Sequence, residues 1–468
     1  MKQIILLAIV ALYSLPGVAE TGRDSAHAQK SLEIYSKLIS IPTVAGQGKV
    51  PEMAEYLAEQ LSAVGFAEED ITIIPSGETV AMIVRFRGDG SSGKKPILLL
   101  GHMDVVEALP EDWERPPFEL TQDDTFFYGR GTIDNKYGIT MLVSTFIHLK
   151  QEGFIPHRDL FLVFTGDEET EMITTRMLAN ERPELADAEF ALNSDAGGGS
   201  LRADGKPLVY AVQAAEKTYA SFELTVRNPG GHSSRPRADN AIYELALALG
   251  KIQNHQFPVM ATAMTRDFFR ASGQQRGGEL GEAMIRFADD PEDRSASDRL
   301  AQDPAYVGAT RTTCVATMIE GGHAENALPQ SATATVNCRI FPGVAVADVE
   351  TRLKEVVENE AIEFVLLDEP VASPISEPRE DVMAAIAKAV HPRYPGLTIM
   401  PYMESGGTDG MHFRKAGIPT WAVSGVFMNP ANVFAHGLNE RLPKKAFYDG
   451  LEHWIILLEE LAGRPGDE

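Results

Sequence analysis

Three short apolar runs in the first half of the chain each empty into a loop bearing histidine or acid, and this repetition constrains the fold more than any other feature. Leu98-Leu99-Leu100 leads into Gly101-His102-Met103-Asp104, Asp159 to Thr165 into Gly166-Asp167-Glu168-Glu169, and Phe190 to Ser194 into Asp195-Ala196-Gly197. A short continuous apolar run reads as a strand buried on both faces, as in a parallel sheet covered by helices, and ligands gather beyond the carboxyl ends of such strands. Helical spacing separates the runs, at Ser31 to Ile39, at Val50 to Val64 (Met53, Leu57, Leu61 and Val64 form one stripe) and at Ile139 to Gln151. The alternation predicts an α/β fold, a mostly parallel doubly wound sheet with its site at the strand ends.

From about Lys217 the pattern changes. Tyr219 to Arg227, Thr312 to Ile319, Ala332 to Ile340 and Ala361 to Leu367 read as strands, with helices over Asn240 to Gln253 and Ala347 to Glu358. The order strand, helix, strand, strand, helix, strand is that of a ferredoxin-like α+β domain. The polar stretch 254–311 interrupts it, and a loop of that size is usually functional or flexible. From about Ile375 the first pattern returns, with a helix Glu380 to Val390, a strand Thr420 to Val426 and a final helix Lys444 to Leu461. The expected organisation is therefore a leader over 1–19, a large domain over 30–214 and 372–468, and a smaller one over 215–371 inserted into it.

The leader is read from a basic start (Lys2), an apolar stretch Ile4 to Leu15 and the small residues Gly17-Val18-Ala19. That is the layout of a secretory signal peptide, too short for a stable membrane span. A second cleavage point follows Ala26-His27-Ala28. Export, to a bacterial periplasm, is the expectation. The formal charge of -25 argues against nucleic acid as a partner. Gly88 to Lys95 nearly matches a phosphate-binding loop, but Lys95 replaces the hydroxyl residue and a strand follows, so a hairpin turn is expected. Cys314 and Cys338 are the only cysteines. An antiparallel register centred near Asn326 would face them for a disulfide, and a slip of one residue would part them.

Gathered together, the strand-end residues are His102, Asp134, Glu168, Glu169, Asp195 and, beyond the insertion, His436. Alone, His102-x-Asp104 reads as a hydrogen-bonded histidine at a strand end, and an isolated Glu-Glu as a solvated pair. As a set, nitrogen and oxygen donors without thiolate suit zinc, cobalt or manganese in an open catalytic site. Asp134 is the candidate to bridge two ions, and Asp104 to orient His102. Within the Glu168-Glu169 pair one carboxylate can bind metal while its neighbour acts as general base.

The runs Gly101-His102-Met103-Asp104, Gly129-Arg130-Gly131-Thr132-Ile133-Asp134-Asn135-Lys136, Asp167-Glu168-Glu169, Ser194-Asp195-Ala196-Gly197 and His436-Gly437-Leu438-Asn439-Glu440 resemble, in order, the motifs of the dizinc peptidase family containing carboxypeptidase G, aminoacylase, carnosinase and succinyl-diaminopimelate desuccinylase. The resemblance implies that His102 and Asp195 hold one zinc, Glu169 and His436 the other, and Asp134 bridges them across a cis Asp134-Asn135 peptide. It implies that Glu168 is the general base and that the inserted domain is a lid through which a homodimer forms. There His232 would stabilise the tetrahedral oxyanion, and Asn326 and Arg339 would grip the substrate's carboxylate. Gly406, Gly407 and Thr408 would approach the substrate through backbone groups. Asn135 stands where many relatives have an acid, a departure of little weight if only the backbone matters there. The long 254–311 stretch and the Trp113 to Phe118 loop point to the longer, carboxypeptidase-like branch.

The expected function is an exported dizinc hydrolase, a carboxypeptidase or dipeptidase cutting a peptide bond next to a free carboxylate by a metal-activated bridging water and Glu168. Hydrolysis of N-acyl amino acids is the second reading and aminopeptidase action the third. A metal-binding protein without activity is the rival outside enzymes, and it predicts a missing ligand or base where none is missing. No Gly-x-Ser-x-Gly elbow and no His-Glu-x-x-His motif is present.

Overall fold

The computed structural model describes residues 25–367 and 369–463. The leader over 1–19 lies outside the described residues. The alternative cleavage point after Ala28 falls inside the first helix, Ala26–Ser40, whose start is capped by the Ser25 side chain accepting from Ala28 N at 3.1 Å.

The larger sheet has ten strands among the described residues. Its order is Ile71–Ser76, Thr79–Phe86, Leu160–Thr165, Ile97–His102, Phe190–Asn193, Thr420–Ala422, Pro207–Glu216, Gly198–Leu201, Phe427–Met428, with Ile399–Glu404 also paired to Pro207–Glu216. The three apolar runs lie side by side and parallel at its centre. Alternation across the pleat divides them between two cores: Ile97 and Leu99 face one with the helices Ala26–Ser40, Lys136–Gln151 and Lys444–Ala462, whereas Leu98 and Leu100 face another with Leu178, Phe413 and Ile418. Each fully buried leucine contributes roughly 1.5–3 kcal/mol, so central strands apolar at every position are what a sheet covered on both faces demands.

A four-stranded antiparallel sheet, Thr313–Gly321, Ser331–Ile340, Thr218–Arg227, Glu363–Leu366, forms the second unit. Its strands fall between Pro207–Glu216 and Ile399–Glu404 of the larger sheet. Helices Ala241–Asn254 and Val346–Val357 supply Leu245, Ala248, Val349 and Leu353 to the core on one face. Cys314 lies directly opposite Cys338, and the two form a disulfide with sulfurs 2.02 Å apart. From Thr313 to Ala316 the register is centred on Asn326, and between Ala316 and Met318 a bulge shifts it.

Three expectations need correction. Gly88 to Lys95 is no hairpin: the strand Leu160–Thr165 lies between Thr79–Phe86 and Ile97–His102, pairing with both. The stretch 254–311 is not a loop. It folds into helices Ala263–Arg276, Gly278–Asp289, Arg294–Ala301 and Pro304–Val307 around Phe269, Leu280, Met284, Phe287 and Leu300. The first two helices touch glycine to glycine, since a methyl on Gly273 would come 2.6 Å from the Gly281 carbonyl oxygen. Phe66 to Pro75, which reads as a strand in the sequence, begins as one only at Ile71, after the short turn Glu68–Asp70.

Candidate metal centre

The ends of the three central strands, the loop ahead of helix Lys136–Gln151 and the loop at 436–440 meet at one point. His102 Nε2 lies 2.8 Å from Asp134 Oδ1 and 3.4 Å from Asp195 Oδ1, and His436 Nε2 lies 3.0 Å from Asp134 Oδ2 and 2.9 Å from Glu169 Oε1. Asp134 thus turns one oxygen to each histidine. Ligand atoms of His102, Asp134 and Asp195, and those of Asp134, Glu169 and His436, each lie within 4.8 Å of one another. Two triads sharing a carboxylate are the donor set a pair of divalent ions requires, and these residues fit it. The Asp134-Asn135 peptide is cis.

Charge in the cluster is far from its ordinary state. Hydrogen bonds to Asp134 and Glu169 raise His436 to about 10. Burial raises Asp195 to about 7, opposed by His102. Burial also drives Glu168 well above the carboxylate range, with His102 opposing it and Asp195, Asp409 and Glu169 adding to the rise. Carboxylates crowded beyond what two histidines can neutralise are what cations relieve.

The neighbours hold these groups in place. His102 Nδ1 donates to the Asp104 backbone carbonyl at 3.0 Å, which leaves Nε2 for the cluster. The Asp104 carboxylate sits farther from the ring, 3.5 Å from Nδ1, and instead accepts from Glu168 N at 3.1 Å and Glu169 N at 3.0 Å. Its expected role, orienting His102, is filled by its carbonyl, while its side chain positions the glutamate pair. The Asn135 side chain matters after all: Nδ2 donates to Asp195 Oδ1 at 2.6 Å and Oδ1 accepts from Ser194 Oγ at 3.1 Å.

In a separate two-stranded sheet, His232 is exposed on a short strand that pairs Gly231 and His232 with Leu328 and Ala327, and Ser233 N donates to Asn326 O at 3.0 Å. His232 Nδ1 accepts from Ser234 N and Oγ. This pairing of two segments far apart in the chain therefore joins His232 and Asn326, while His232 belongs to none of the candidate ligand triads among the described residues. The Arg339 guanidinium lies 4.7 Å from the Tyr219 ring and, among the described residues, has no hydrogen bond or ion pair. Burial lowers its pKa, and Tyr219, Glu168, Glu404 and Glu216 act in the opposite sense. The amides of two of the three loop residues are already engaged: Gly406 N donates to Glu404 Oε1 at 3.4 Å and Thr408 N to Glu216 Oε2 at 2.8 Å.

Sequence reasoning missed the support of this loop, a buried pair in which Arg414 also donates to Glu216. It missed Asp409, whose oxygens accept from Thr165 Oγ1 and Thr175 Oγ1. Arg130 and Glu440, buried and paired at 2.6 Å, stood inside the quoted motifs without a role.

Residues 98–460 match the model of peptidase family M20/M25/M40. Among sequence relatives, the N-fatty-acyl-amino acid synthase/hydrolase PM20D1 of Xenopus tropicalis is 28% identical over 78% of this chain and 72% of its own. A probable carboxypeptidase S-like 2 of Dictyostelium discoideum is 27% identical over 78% and 71%, and aminoacylase-1 of Mus musculus 26% identical over 95% and 98%. Among solved structures, the di-peptidase Dug1p of Saccharomyces cerevisiae superposes with a TM-score of 0.70 at 18% identity, covering 93% of this chain and 96% of its own. The M20 family metallo-carboxypeptidase Sso-CP2 of Sulfolobus solfataricus gives 0.71 at 19%, covering 92% and 98%. With ordered motifs, shared fold and a family match over most of its length, the chain belongs to peptidase family M20/M25/M40 and is a metallopeptidase or amidohydrolase of that family.

Proposed function

We propose that the protein hydrolyses an amide bond whose amine side carries a free carboxylate, acting first as a carboxypeptidase or dipeptidase. The observation that carries this reading is the Arg339 guanidinium, partly buried without a carboxylate of its own and within electrostatic reach of Glu168. Desolvating a guanidinium without a partner is costly, and a substrate carboxylate is the bidentate partner it lacks.

His102 and Asp195 would hold one divalent ion, Glu169 and His436 the other, with Asp134 shared; zinc is the first choice, cobalt or manganese the alternatives. When bound, such ions polarise the scissile carbonyl and ease deprotonation of water. Glu168 takes the proton from the attacking water and passes it to the leaving nitrogen. Arg339 and Asn326 hold the substrate carboxylate, and His232 donates to the oxyanion from Nε2, since Nδ1 already accepts from Ser234.

The second sheet serves as lid and dimer surface. Tyr243 and Leu247 on helix Ala241–Asn254, with Ile319 on the edge strand Thr313–Gly321 opposite Ala334 of the helix-covered face, are 63–70% exposed, an apolar patch fit for a second copy of the chain. Export remains a proposal resting on the leader composition. N-acyl-amino-acid hydrolysis is the second reading, favoured by the relatives whose names carry N-fatty-acyl-amino acid hydrolase and aminoacylase activity.

The deciding experiment compares turnover of a dipeptide, an N-acetylated amino acid and a C-terminally amidated dipeptide, with metal content measured on the same sample. Both free-carboxylate substrates should be cleaved, their ratio separating the two readings. Best turnover of the amidated dipeptide would overturn the role given to Arg339.

A further inference from the structure

Glu440 is fully buried at the end of the loop that carries His436, and the segment ahead of Asp134 is wrapped around it. Oε1 accepts from Ile133 N at 2.7 Å and Asp134 N at 3.2 Å; Oε2 accepts from Gly131 N at 3.1 Å and from the Arg130 guanidinium at 2.6 Å. The Glu440 carbonyl in turn accepts from Gly129 N at 3.1 Å. A carboxylate has about four acceptor positions, and all four are used. The other end of Arg130 donates to His436 O at 3.3 Å and Glu107 O at 3.4 Å, while its guanidinium lies 5.2 Å from the Trp113 ring.

The pair therefore grips two of the three segments that supply donors to the second triad, those of Asp134 and His436. Asp134 enters through its own amide, and His436 through its own carbonyl. His436 and Asn439 hold φ of 62° and 53°, a left-handed backbone that residues other than glycine rarely keep in an unsupported loop. Neither Arg130 nor Glu440 belongs to any of the candidate ligand triads.

Resting on the metal reading above, we infer that Arg130 and Glu440 are positioning residues that set the separation of Asp134 Oδ2 and His436 Nε2 for the ion held by Asp134, Glu169 and His436. The tie acts through backbone rather than through the ligand side chains. Loss of it should therefore loosen that ion more than the one between His102 and Asp195, which shares Asp134 but keeps two donors fixed by Asp104 O and Asn135.

The test uses the full chain loaded with cobalt(II), comparing wild type with Glu440→Gln, Arg130→Lys and a control, Glu189→Gln. Glu189 pairs with Arg158 and Arg379, and its amide donates to Pro96 O at the opposite end of the strands from the metal cluster. Ions bound per chain, affinity by chelator competition, the cobalt absorption spectrum and thermal stability are read together. Glu440→Gln places an amide donor among N–H donors. It should weaken one of two ions about 10-fold to 100-fold and change the cobalt spectrum, with kcat lowered more than KM is raised. Arg130→Lys keeps the charge but cannot span Glu440 and His436, and should do the same to a smaller extent. The control should lose stability with both ions and the spectrum intact. If the two site variants lose stability but bind both ions with wild-type affinity and spectrum, the pair is merely structural and the inference is overturned. Wild type binding fewer than two ions would overturn the metal reading and this inference with it, a result distinguishable from the first because it is seen before any substitution.

Discussion

The Asp104 carboxylate spans two consecutive amides, taking Glu168 N on one oxygen and Glu169 N on the other, so a residue at the end of one strand sets the glutamate pair at the end of the next. Asparagine in its place keeps the shape but turns an amide donor toward one of those N–H groups. With Asp104 only 3% exposed, the unsatisfied donors should lower stability by about 1–3 kcal/mol. Because the 104 carbonyl still fixes His102, Asp104→Asn should weaken metal binding about 10-fold or more without emptying both positions, and kcat should fall as Glu168 drifts. Metal content after dialysis, read beside kcat, checks this. A variant with wild-type metal content and kcat would show that the two amides need no partner.

Arg339 offers a second, independent prediction. Lysine preserves its charge but not the planar fork, and a charge-assisted hydrogen bond contributes about 1.5–3 kcal/mol. Arg339→Lys should reduce kcat/KM for free-carboxylate substrates roughly 10-fold to 100-fold, mostly through KM. Residual turnover of a C-terminally amidated analogue should not change. An equal fall for both substrates would mean that Arg339 acts on the fold or on Glu168 and not on the substrate carboxylate.

What was legible in the sequence, and what was not, follows from how far each interaction reaches. His102, Asp134, Glu168, Glu169, Asp195 and His436 could be gathered because each ends a locally recognisable run, and the structure brings them to one point. Glu440 could be seen but given no purpose, since its partners are backbone amides about 307 residues away in the chain. The strand Ile399–Glu404 escaped notice because Pro401 interrupts its pattern. It is tolerated there because this strand pairs on one side only, with Pro207–Glu216. The helices after residue 262 were hidden by polar outward faces. Their signals were Leu280, Met284 and Phe287 at helical spacing and the caps Thr262, Asp293 and Asp303. The supposed hairpin at Gly88 to Lys95 failed because chain adjacency does not imply pairing in a sheet where a later strand can enter between two earlier ones.

The Cys314–Cys338 disulfide joins the edge strand of the second sheet to its neighbour and closes a segment with a sequence separation of 24. A loop of that size removes enough unfolded-state entropy to stabilise by about 3 kcal/mol. Replacing both cysteines with alanine should therefore lower the thermal midpoint, and reducing agent should lower the wild-type midpoint toward that of the variant while leaving the variant's unchanged. Metal content should hold, since both cysteines lie outside the candidate metal triads. An unchanged wild-type midpoint under full reduction, verified by thiol titration, would remove the disulfide from the account of stability.

Lys217 sits where the chain passes from the larger sheet to the second one. It is 1% exposed, with Nζ donating to Arg311 O at 2.8 Å and Thr313 Oγ1 at 3.3 Å and no carboxylate among its hydrogen-bond partners. Burial lowers its pKa from 10.5 to about 7, and the nearby Arg339 charge adds to the fall. Between those two values the unfolded chain holds the proton and the folded chain does not, so stability rises with pH across the window. Below about 7 both states are protonated and the cost of burying the charge is fully present. One proton of difference corresponds to about 1.4 kcal/mol per pH unit. Lys217→Met removes that proton, so the rise in unfolding free energy from pH 7.5 to 9.5 should be shallower in the variant by up to this slope. Lys136, also lowered to about 7 by burial, adds the same trend to both proteins and cancels in the comparison. Denaturant unfolding at the two pH values, at equal metal content, measures the difference. Parallel curves for variant and wild type would mean that Lys217 keeps its proton in the folded chain.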